Sequence, residues 1–400
     1  MPFESGAPLE TQTAPSDEII PQAEALVYAD KKIRRRRRRI LGAEALLLAT
    51  TTALGSYALD VNINMERQAS AEASVSVYDK PLDSNNDSSA VVFFNGFGTY
   101  DADPIAKVFG PGIKQNLDGE SWSVSYGNAP LNPKKLAEKI ISLAEERDIT
   151  TLDFVGYSAG GAISTETATE IADNPDITIR SLTPISTPDG IDGLRPLRQK
   201  EVEFAYTLSS IPGAKYSTLV RLIGEIYFMR DRFDEGPFTT RIADFGKTAL
   251  QAAGHIQQPK LPGTWLLVDQ TLAVADADIQ SNLKEIAEKY KGKKPLPTIL
   301  YVGTEEPGYD YMVNNELSSY KICGYAYENN MQCSIYNVPG AVHTMPEKTT
   351  DAYTETFADA KQELDEGIGI AQLNFAAQLR EALVKKMPNV EPADASETDN

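Results

Sequence analysis

A serine stands between two glycines at a fixed spacing, in the run Gly156, Tyr157, Ser158, Ala159, Gly160. A serine on a sharp turn from a strand to a helix can act as a nucleophile, and glycine is needed two positions away on each side because larger side chains would clash. Residues 150–155 (TTLDFV) predict a buried strand, and the small residues of 159–172 predict a helix. The alternative is a glycine-rich turn with an incidental surface serine. The order strand, turn, helix favours a nucleophilic Ser158.

A nucleophilic serine requires a base that takes its proton. The chain contains two histidines. His343 follows a predicted strand over 334–338 and a Pro339–Gly340 turn, so it lies just past a strand end. His255 lies between a helical segment and a proline-rich loop, which is typical of a helix end or a loop. We therefore predict that His343 is the base, with an ordinary surface-loop histidine as the alternative.

The acid that orients the base is expected between the serine and the histidine in chain order. A predicted strand over 298–302 leads into GTEEPGYDYMV, which contains Glu305, Glu306 and Asp310. We favour Asp310, because aromatic and apolar neighbours would bury it against an imidazole, and Glu306 is the alternative. Asp189 and Asp192, which follow a predicted strand over 178–185, are further candidates. Each of these carboxylates, taken alone, is typical of a solvated surface charge.

The negatively charged oxygen formed in acyl transfer needs backbone N–H donors that are already in place. Ala159, directly after the serine, is expected to supply one of them. The second is expected from Phe97, in the loop Asn95–Gly98 that follows a predicted strand over 90–94. A glycine-containing turn after a buried strand also has a purely structural interpretation.

Taken in chain order, the segments that contain the predicted oxyanion loop, nucleophile, acid and base resemble those of the α/β-hydrolases of the lipase and esterase type. The resemblance covers residues 75–387 and depends on FNGFGTYD, GYSAGG, ILYVGTEEPGYD and VPGAVHTM. It implies a doubly wound, mostly parallel sheet, a triad of Ser158, His343 and Asp310, and an oxyanion hole from Phe97 and Ala159. The His-Gly that is usual in the oxyanion loop is Asn-Gly here. The sequence contains no nucleotide fingerprint and no Cys/His metal cluster, so we expect no cofactor and no metal.

Residues 190–261 interrupt the alternation of strands and helices that predicts the sheet, and they are helical and rich in aromatic residues. We predict a cap over the mouth of the site, whose apolar and aromatic side chains would line a pocket for an apolar acyl or alcohol group. Alternatively, these aromatic residues form the core of the cap itself.

The amino-terminal region carries a basic block, Lys31, Lys32 and Arg34–Arg39, followed by the mostly apolar residues 40–59 with the single charge Glu44. About twenty apolar residues can span a bilayer, and flanking cations stay in the cytoplasm. We predict a cytoplasmic tail (1–39), a transmembrane helix (40–59), a linker (60–74), an extracytoplasmic hydrolase domain (75–390) and a disordered acidic tail (391–400). A twin-arginine export signal cleaved near residues 56–58 is the alternative, and an arginine block can also bind nucleic acid or anionic lipid.

The charge distribution limits the partners of the chain. Its net charge is −19, and the first 39 residues carry eight basic and six acidic side chains, which leaves −21 for the remainder. Nucleic acid repels a domain this acidic, so we expect no nucleic-acid partner. Cys323 and Cys333 are ten residues apart, a spacing that permits a disulfide, with two buried thiols as the alternative.

The function predicted from these features is that of a serine hydrolase that cleaves a carboxylic ester or lipid-like substrate through an acyl-enzyme. A different class is a catalytically inactive surface protein that binds a partner through its cap, because a fold does not guarantee its chemistry. A peptidase or an acyltransferase would use the same three side chains.

Overall fold

One seven-stranded sheet organises the protein in the computed structural model, which describes residues 50–83, 88–228, 238–256, 262–304 and 310–386. The strands are β1 (Ser74–Asp79), β2 (Ser89–Phe94), β3 (Glu120–Ser125), β4 (Thr151–Tyr157), β5 (Thr178–Ile185), β6 (Thr298–Thr304) and β7 (Cys333–Val338). Their order across the sheet is β1-β3-β2-β4-β5-β6-β7. Only the β1–β3 pair is antiparallel among these neighbours. The predicted mostly parallel sheet is confirmed.

Helices cover both faces of the sheet. In chain order, the described α-helices are α1 (50–69), α2 (Asp103–Ile113), α3 (Pro133–Glu146), α4 (Ala159–Ile171), α5 (Pro196–Ser209), α6 (Thr218–Phe228), α7 (Phe238–Ile256), α8 (Thr264–Ala275), α9 (Ile279–Tyr290), α10 (Asn315–Glu328) and α11 (Thr350–Lys386). Alternate residues of a strand point to opposite faces. Accordingly, Val92 and Phe94 pack with α3, α4 and α9, whereas Val91 and Phe93 pack with α2 and α11. Such a sheet is buried on both sides, which explains why β2 (SAVVFF) and β6 (TILYVGT) are almost continuously apolar.

The predicted cap corresponds to a helical insertion between β5 and β6. Helices α5, α6 and α7 lie within the predicted range 190–261, and α8 follows directly. The described aromatic residues of this insertion do not line the cavity at the site, and the cap residues that do so are largely small, aliphatic or charged. Tyr216, for example, packs against Trp265 with ring centroids 6.4 Å apart.

The predictions for the chain ends fall largely outside the described residues. Residues 1–49, with the basic block and half of the predicted span over 40–59, and residues 391–400 are not described. No described helix combines the length and the apolar character that crossing a membrane requires. The chain divides into two units, Met1–Leu59 and Asp60–Asn400. Residues 60–69 of the predicted linker are helical, and β1 begins at Ser74.

A disulfide joins Cys323 of α10 to Cys333 at the start of β7. The disulfide interpretation of the two cysteines is therefore confirmed. The bond closes a short loop between the segment that follows Asp310 and the strand that leads to His343, so it constrains both sides of the candidate site.

Candidate active site

Ser158 occupies the turn between β4 and α4. Its backbone angles are φ 55° and ψ −126°, a conformation that is rare for any residue with a side chain. The Ser158 N–H donates to the carbonyl oxygen of Ile185 over 2.8 Å, which ties the turn to the neighbouring strand. A Cβ on Gly156 would lie 2.4 Å from the Cα of Gly161, and one on Gly160 would lie 2.3 Å from the oxygen of Phe94. The two glycines are thus required by close packing, as the spacing predicts.

His343 lies between Ser158 and Asp310. Its Nε2 is 2.9 Å from Ser158 Oγ, and its Nδ1 is 2.8 Å from Asp310 Oδ2. Because a carboxylate only accepts hydrogen bonds, Nδ1 carries the proton and Nε2 is left to accept the serine hydroxyl. The imidazole is 5% exposed, so few water molecules compete for these contacts. The structure brings the three predicted side chains together in one line of hydrogen bonds.

Tyr157, the residue before the serine, holds the histidine loop in place. Its hydroxyl donates to the backbone oxygen of His343, and the two rings stack with centroids 5.3 Å apart. Burial, followed by nearby groups that include Asp310, raises the pKa of Tyr157 well above its usual value. The phenol therefore stays protonated and acts as a hydrogen-bond donor. The sequence gives no indication of this contact, because Tyr157 and His343 are far apart in the chain.

Asp310 is 1% exposed and all of its oxygen atoms are engaged. Oδ1 accepts the N–H groups of Met312 and Val313 over 2.8 and 2.9 Å. Oδ2 accepts from His343 and, over 2.8 Å, from the side-chain amide of Asn315. Burial acts to raise the pKa of Asp310, but the hydrogen bond and charge of His343 and the two backbone N–H groups outweigh it, and the pKa is lowered. The carboxylate is thus kept ionised beside the imidazole.

Asn315, at the start of α10, links Asp310 to the strand below it. Its Nδ2 also lies 2.8 Å from Thr304 Oγ1, and its Oδ1 accepts the hydroxyl of Tyr301 over 2.9 Å. The Tyr301 hydroxyl is in turn 3.1 Å from the oxygen of Thr187. These groups are buried and hydrogen-bonded to one another, so the network makes the position of Asp310 rigid. The sequence offered no signal for Asn315 beyond a polar residue near a predicted strand end.

Asp189 and Asp192 do not join this line of hydrogen bonds. Asp189 forms an ion pair with Lys321 Nζ at 2.9 Å and accepts from Ser318, and Asp192 is exposed in a short 3₁₀ turn. Glu305 and Glu306, the alternative acid, lie outside the described residues, as does the side chain of His255. Within the described ranges, no three His, Cys, Asp or Glu side chains are grouped so that they could hold a metal ion.

The loop 95–98 lies against the serine. A Cβ on Gly96 would be 2.8 Å from Ser158 Cβ and 2.9 Å from the oxygen of Tyr157, so only glycine fits there. The Asn95 side chain accepts from Gly96 N–H and donates to the oxygen of Asp101 over 2.9 Å, which fixes the loop. In the described part of the chain, no protein acceptor takes the N–H of Phe97 or of Ala159. Both predicted oxyanion residues line the same cavity as Ser158, and among the described residues their N–H groups have no protein acceptor.

Ser158 lines a cavity of about 390 Å³. Near the serine, its wall is a cluster of apolar side chains, formed by Ala159, Leu194, Val202, Val274, Met312 and Val313. The charged residues of the wall are paired: Arg198 with Glu201, Arg221 with Glu225 at 3.7 Å, and Lys215 with Asp269 at 3.8 Å. An apolar cavity with paired charges suits a largely apolar ligand without net charge.

Comparison with protein-family models finds no match. Comparison with curated proteins finds no match either. Among solved structures, a carboxylesterase structure from Nitrososphaera gargenis has 14% identity and a TM-score of 0.42, and covers 76% of this chain and 97% of its own. A lipase-esterase related protein from Clostridium acetobutylicum has 15% identity and a TM-score of 0.41, with 72% and 98% covered. A hydrolase from Oleispira antarctica has 11% identity and a TM-score of 0.43, with 73% and 94% covered. With identities of 11–15% and TM-scores below 0.5, these likenesses carry no conclusion about this chain, so its chemistry is inferred from the site itself.

Proposed function

We propose that this protein is a serine hydrolase that cleaves a carboxylic ester. The sheet order, the strand-to-helix turn at Ser158 and the chain order serine, acid, histidine are those of an α/β-hydrolase fold. The observation that carries the proposal is the line Ser158 Oγ, His343, Asp310, with distances of 2.9 and 2.8 Å, at the wall of an apolar cavity.

In the proposed reaction, Ser158 Oγ attacks the ester carbonyl while His343 Nε2 takes the hydroxyl proton. Asp310 stabilises the imidazolium that results. The N–H groups of Phe97 and Ala159 stabilise the negative charge on the carbonyl oxygen. The intermediate then collapses, His343 returns the proton to the leaving alcohol, and an acyl group stays on Ser158. Water, deprotonated by His343, releases the acid and restores the serine.

The proposed substrate is a small-molecule or lipid-like ester with an apolar acyl or alcohol group. The support comes from the cavity beside Ser158, whose wall near the nucleophile is formed by apolar side chains. A peptidase would require the same site to accept a polar backbone, and an acyltransferase would require an alcohol or amine to replace water.

Reaction with a fluorophosphonate probe tests the proposal. The wild type should be labelled on Ser158, and Ser158→Ala should not. Ser164, which lies on α4 and donates to the oxygen of Gly161, gives a matched control in Ser164→Ala, which should still be labelled. A folded wild type that fails to react would favour the inactive binding protein instead. Comparing ester, peptide and acyl-acceptor substrates then separates hydrolysis of esters from the two alternatives.

We also propose that the amino-terminal segment tethers the domain to a membrane from the extracytoplasmic side. The support is the basic block followed by the apolar residues 40–59. Protease treatment of intact cells should degrade the domain, and alkaline extraction should leave the protein in the membrane. Release into the medium with a new amino terminus near residues 56–58 would instead favour a cleaved export signal.

A further inference from the structure

The last part of α1, residues 60–69, packs on the rest of the hydrolase domain. Val61, Asn64 and Gln68 are buried, and their spacing of three and four places them on one face of the helix. This stretch was predicted from its sequence as part of a polar linker. Its buried face shows that it contributes to the folded unit that begins at Asp60.

Two polar side chains of this helix bind one segment of the cap. Asp60 Oδ2 accepts the N–H of Thr218 over 2.6 Å, and Oδ1 accepts the Thr218 hydroxyl over 2.7 Å. Asn64 Nδ2 donates to the oxygen of Tyr216 over 2.7 Å. Thr218 is the first residue of α6. Asp60 thus caps the amino terminus of α6, although the two are 158 residues apart in the chain. A carboxylate is favourable at a helix amino terminus, because the helix dipole is positive there.

The segment that Asp60 and Asn64 hold is a wall of the cavity at Ser158. Val220, Arg221, Gly224 and Glu225 of α6 line that cavity. Ala214 and Lys215, from the 3₁₀ turn Ala214–Tyr216 just before α6, line it as well. We call residues 214–225 the cap wall. Its position decides how much room the cavity offers beyond the apolar cluster next to the serine.

We propose that residues 60–69 are a positioning element of the substrate cavity, and that Asp60 and Asn64 set the enzyme's preference for esters with a large acyl or alcohol group by holding the cap wall. Neither residue touches the reacting atoms, so a small ester that does not reach the cap wall does not depend on them. The selectivity part of the proposal rests on the proposed hydrolase function, whereas the contact itself does not.

Amide hydrogen exchange of the full chain without substrate tests the contact. In Asp60→Ala, exchange across residues 214–225 should be about fivefold faster, the factor that corresponds to the loss of a helix cap. The matched control is Asp278→Ala, because Asp278 accepts Ser281 N–H over 2.9 Å and caps α9, which supplies no described residue to the cavity. Unchanged exchange in Asp60→Ala, or equal acceleration of residues 214–225 in both variants, would overturn the proposal.

Kinetics with esters of increasing acyl length test the selectivity. In Asp60→Ala, KM for the longest ester that the wild type accepts should rise about fivefold, with kcat for a short ester and the rate of labelling by a small fluorophosphonate unchanged. Asp60→Asn, which keeps one acceptor, should give an intermediate shift. Asp278→Ala should change neither value. An equal loss for all chain lengths would show a general structural role and contradict the proposal. If the wild type cleaves no ester, the hydrolase function fails, and the exchange experiment still decides the contact.

Discussion

Replacing Asp310 with asparagine should abolish most of the activity without unfolding the protein. The carboxylate accepts two backbone N–H groups at Oδ1, and accepts Asn315 and His343 at Oδ2. An asparagine must place its NH₂ group at one of these two positions, so it faces donors in either orientation. With NH₂ toward His343, the imidazole accepts at Nδ1 and carries its proton on Nε2. That tautomer cannot take the proton of Ser158.

The size of the expected loss in kcat follows from the role of the Asp310 carboxylate. The variant loses both the correct tautomer and the stabilisation of the imidazolium, while the cavity and the oxyanion donors remain. The expected loss is about 10⁴-fold in kcat, equivalent to about 5.4 kcal/mol in the activation free energy. KM should change little, because Asp310 is buried behind His343 and is not among the residues that line the cavity.

Steady-state hydrolysis of a chromogenic ester, with thermal unfolding to check the fold, measures this effect. Glu305→Gln and Glu306→Gln are matched controls, because each neutralises a carboxylate within five residues of Asp310. Both should keep nearly the wild-type kcat. Asp310→Asn with more than about 1% of the wild-type kcat would be incompatible with the role assigned to the carboxylate. A loss in Glu306→Gln as large as that in Asp310→Asn would assign the acid to Glu306.

Three further results are expected. Gly96→Ala should lower kcat about 10²-fold, because the Cβ of the new alanine would lie 2.8 Å from Ser158 Cβ and displace the serine. Steady-state kinetics measure this loss, and circular dichroism should show unchanged secondary structure. Full activity of the variant would contradict the close packing of Gly96 against Ser158. Replacing Cys323 and Cys333 with serine should lower the free energy of unfolding by about 2.5–3 kcal/mol, as measured with urea; no change would show that the bond does not constrain the unfolded chain. Because the pKa of Asp310 is lowered in the folded protein, the ionised carboxylate stabilises the fold above pH 3.8, and this stabilisation is lost as the pH falls through the lowered pKa. The difference in the free energy of unfolding between wild type and Asp310→Asn, measured by urea titration, should therefore shrink below pH 3.8. A difference that does not change with pH would contradict the lowered pKa.

The sequence predicted the elements near the serine well. The strand over 178–185 matches β5, and the helix over 159–172 ends one residue from the end of α4. The pair Asn132–Pro133 is a typical helix start, and the Asn132 side chain indeed caps α3 by accepting Lys135 N–H over 3.0 Å. Such features depend on residues a few positions apart, so local patterns are sufficient to find them.

The chain ends were harder to predict. Apolar residues at helical spacing after Ala371 predict an amphipathic helix there, but α11 begins at Thr350, and Leu373 of that apolar series is 72% exposed. The residues expected to form a linker after 59 are helical up to 69. In both segments the pattern of polar residues is compatible with helix or coil, and packing against distant elements such as the start of α6 decides between them.

The sequence by itself located the candidate nucleophile, since the glycines around Ser158 reflect the sterics of one short turn, and it placed first the candidate acid and then the candidate base after that serine in the chain. Only the tertiary structure decided which carboxylate meets His343. Asp310 and His343 are 33 residues apart and Asp189 is far from both in the chain, yet a hydrogen bond requires approach to about 3 Å. That approach depends on how three loops leave parallel strands and on the buried contacts of Asn315 and Tyr157, which no local pattern encodes.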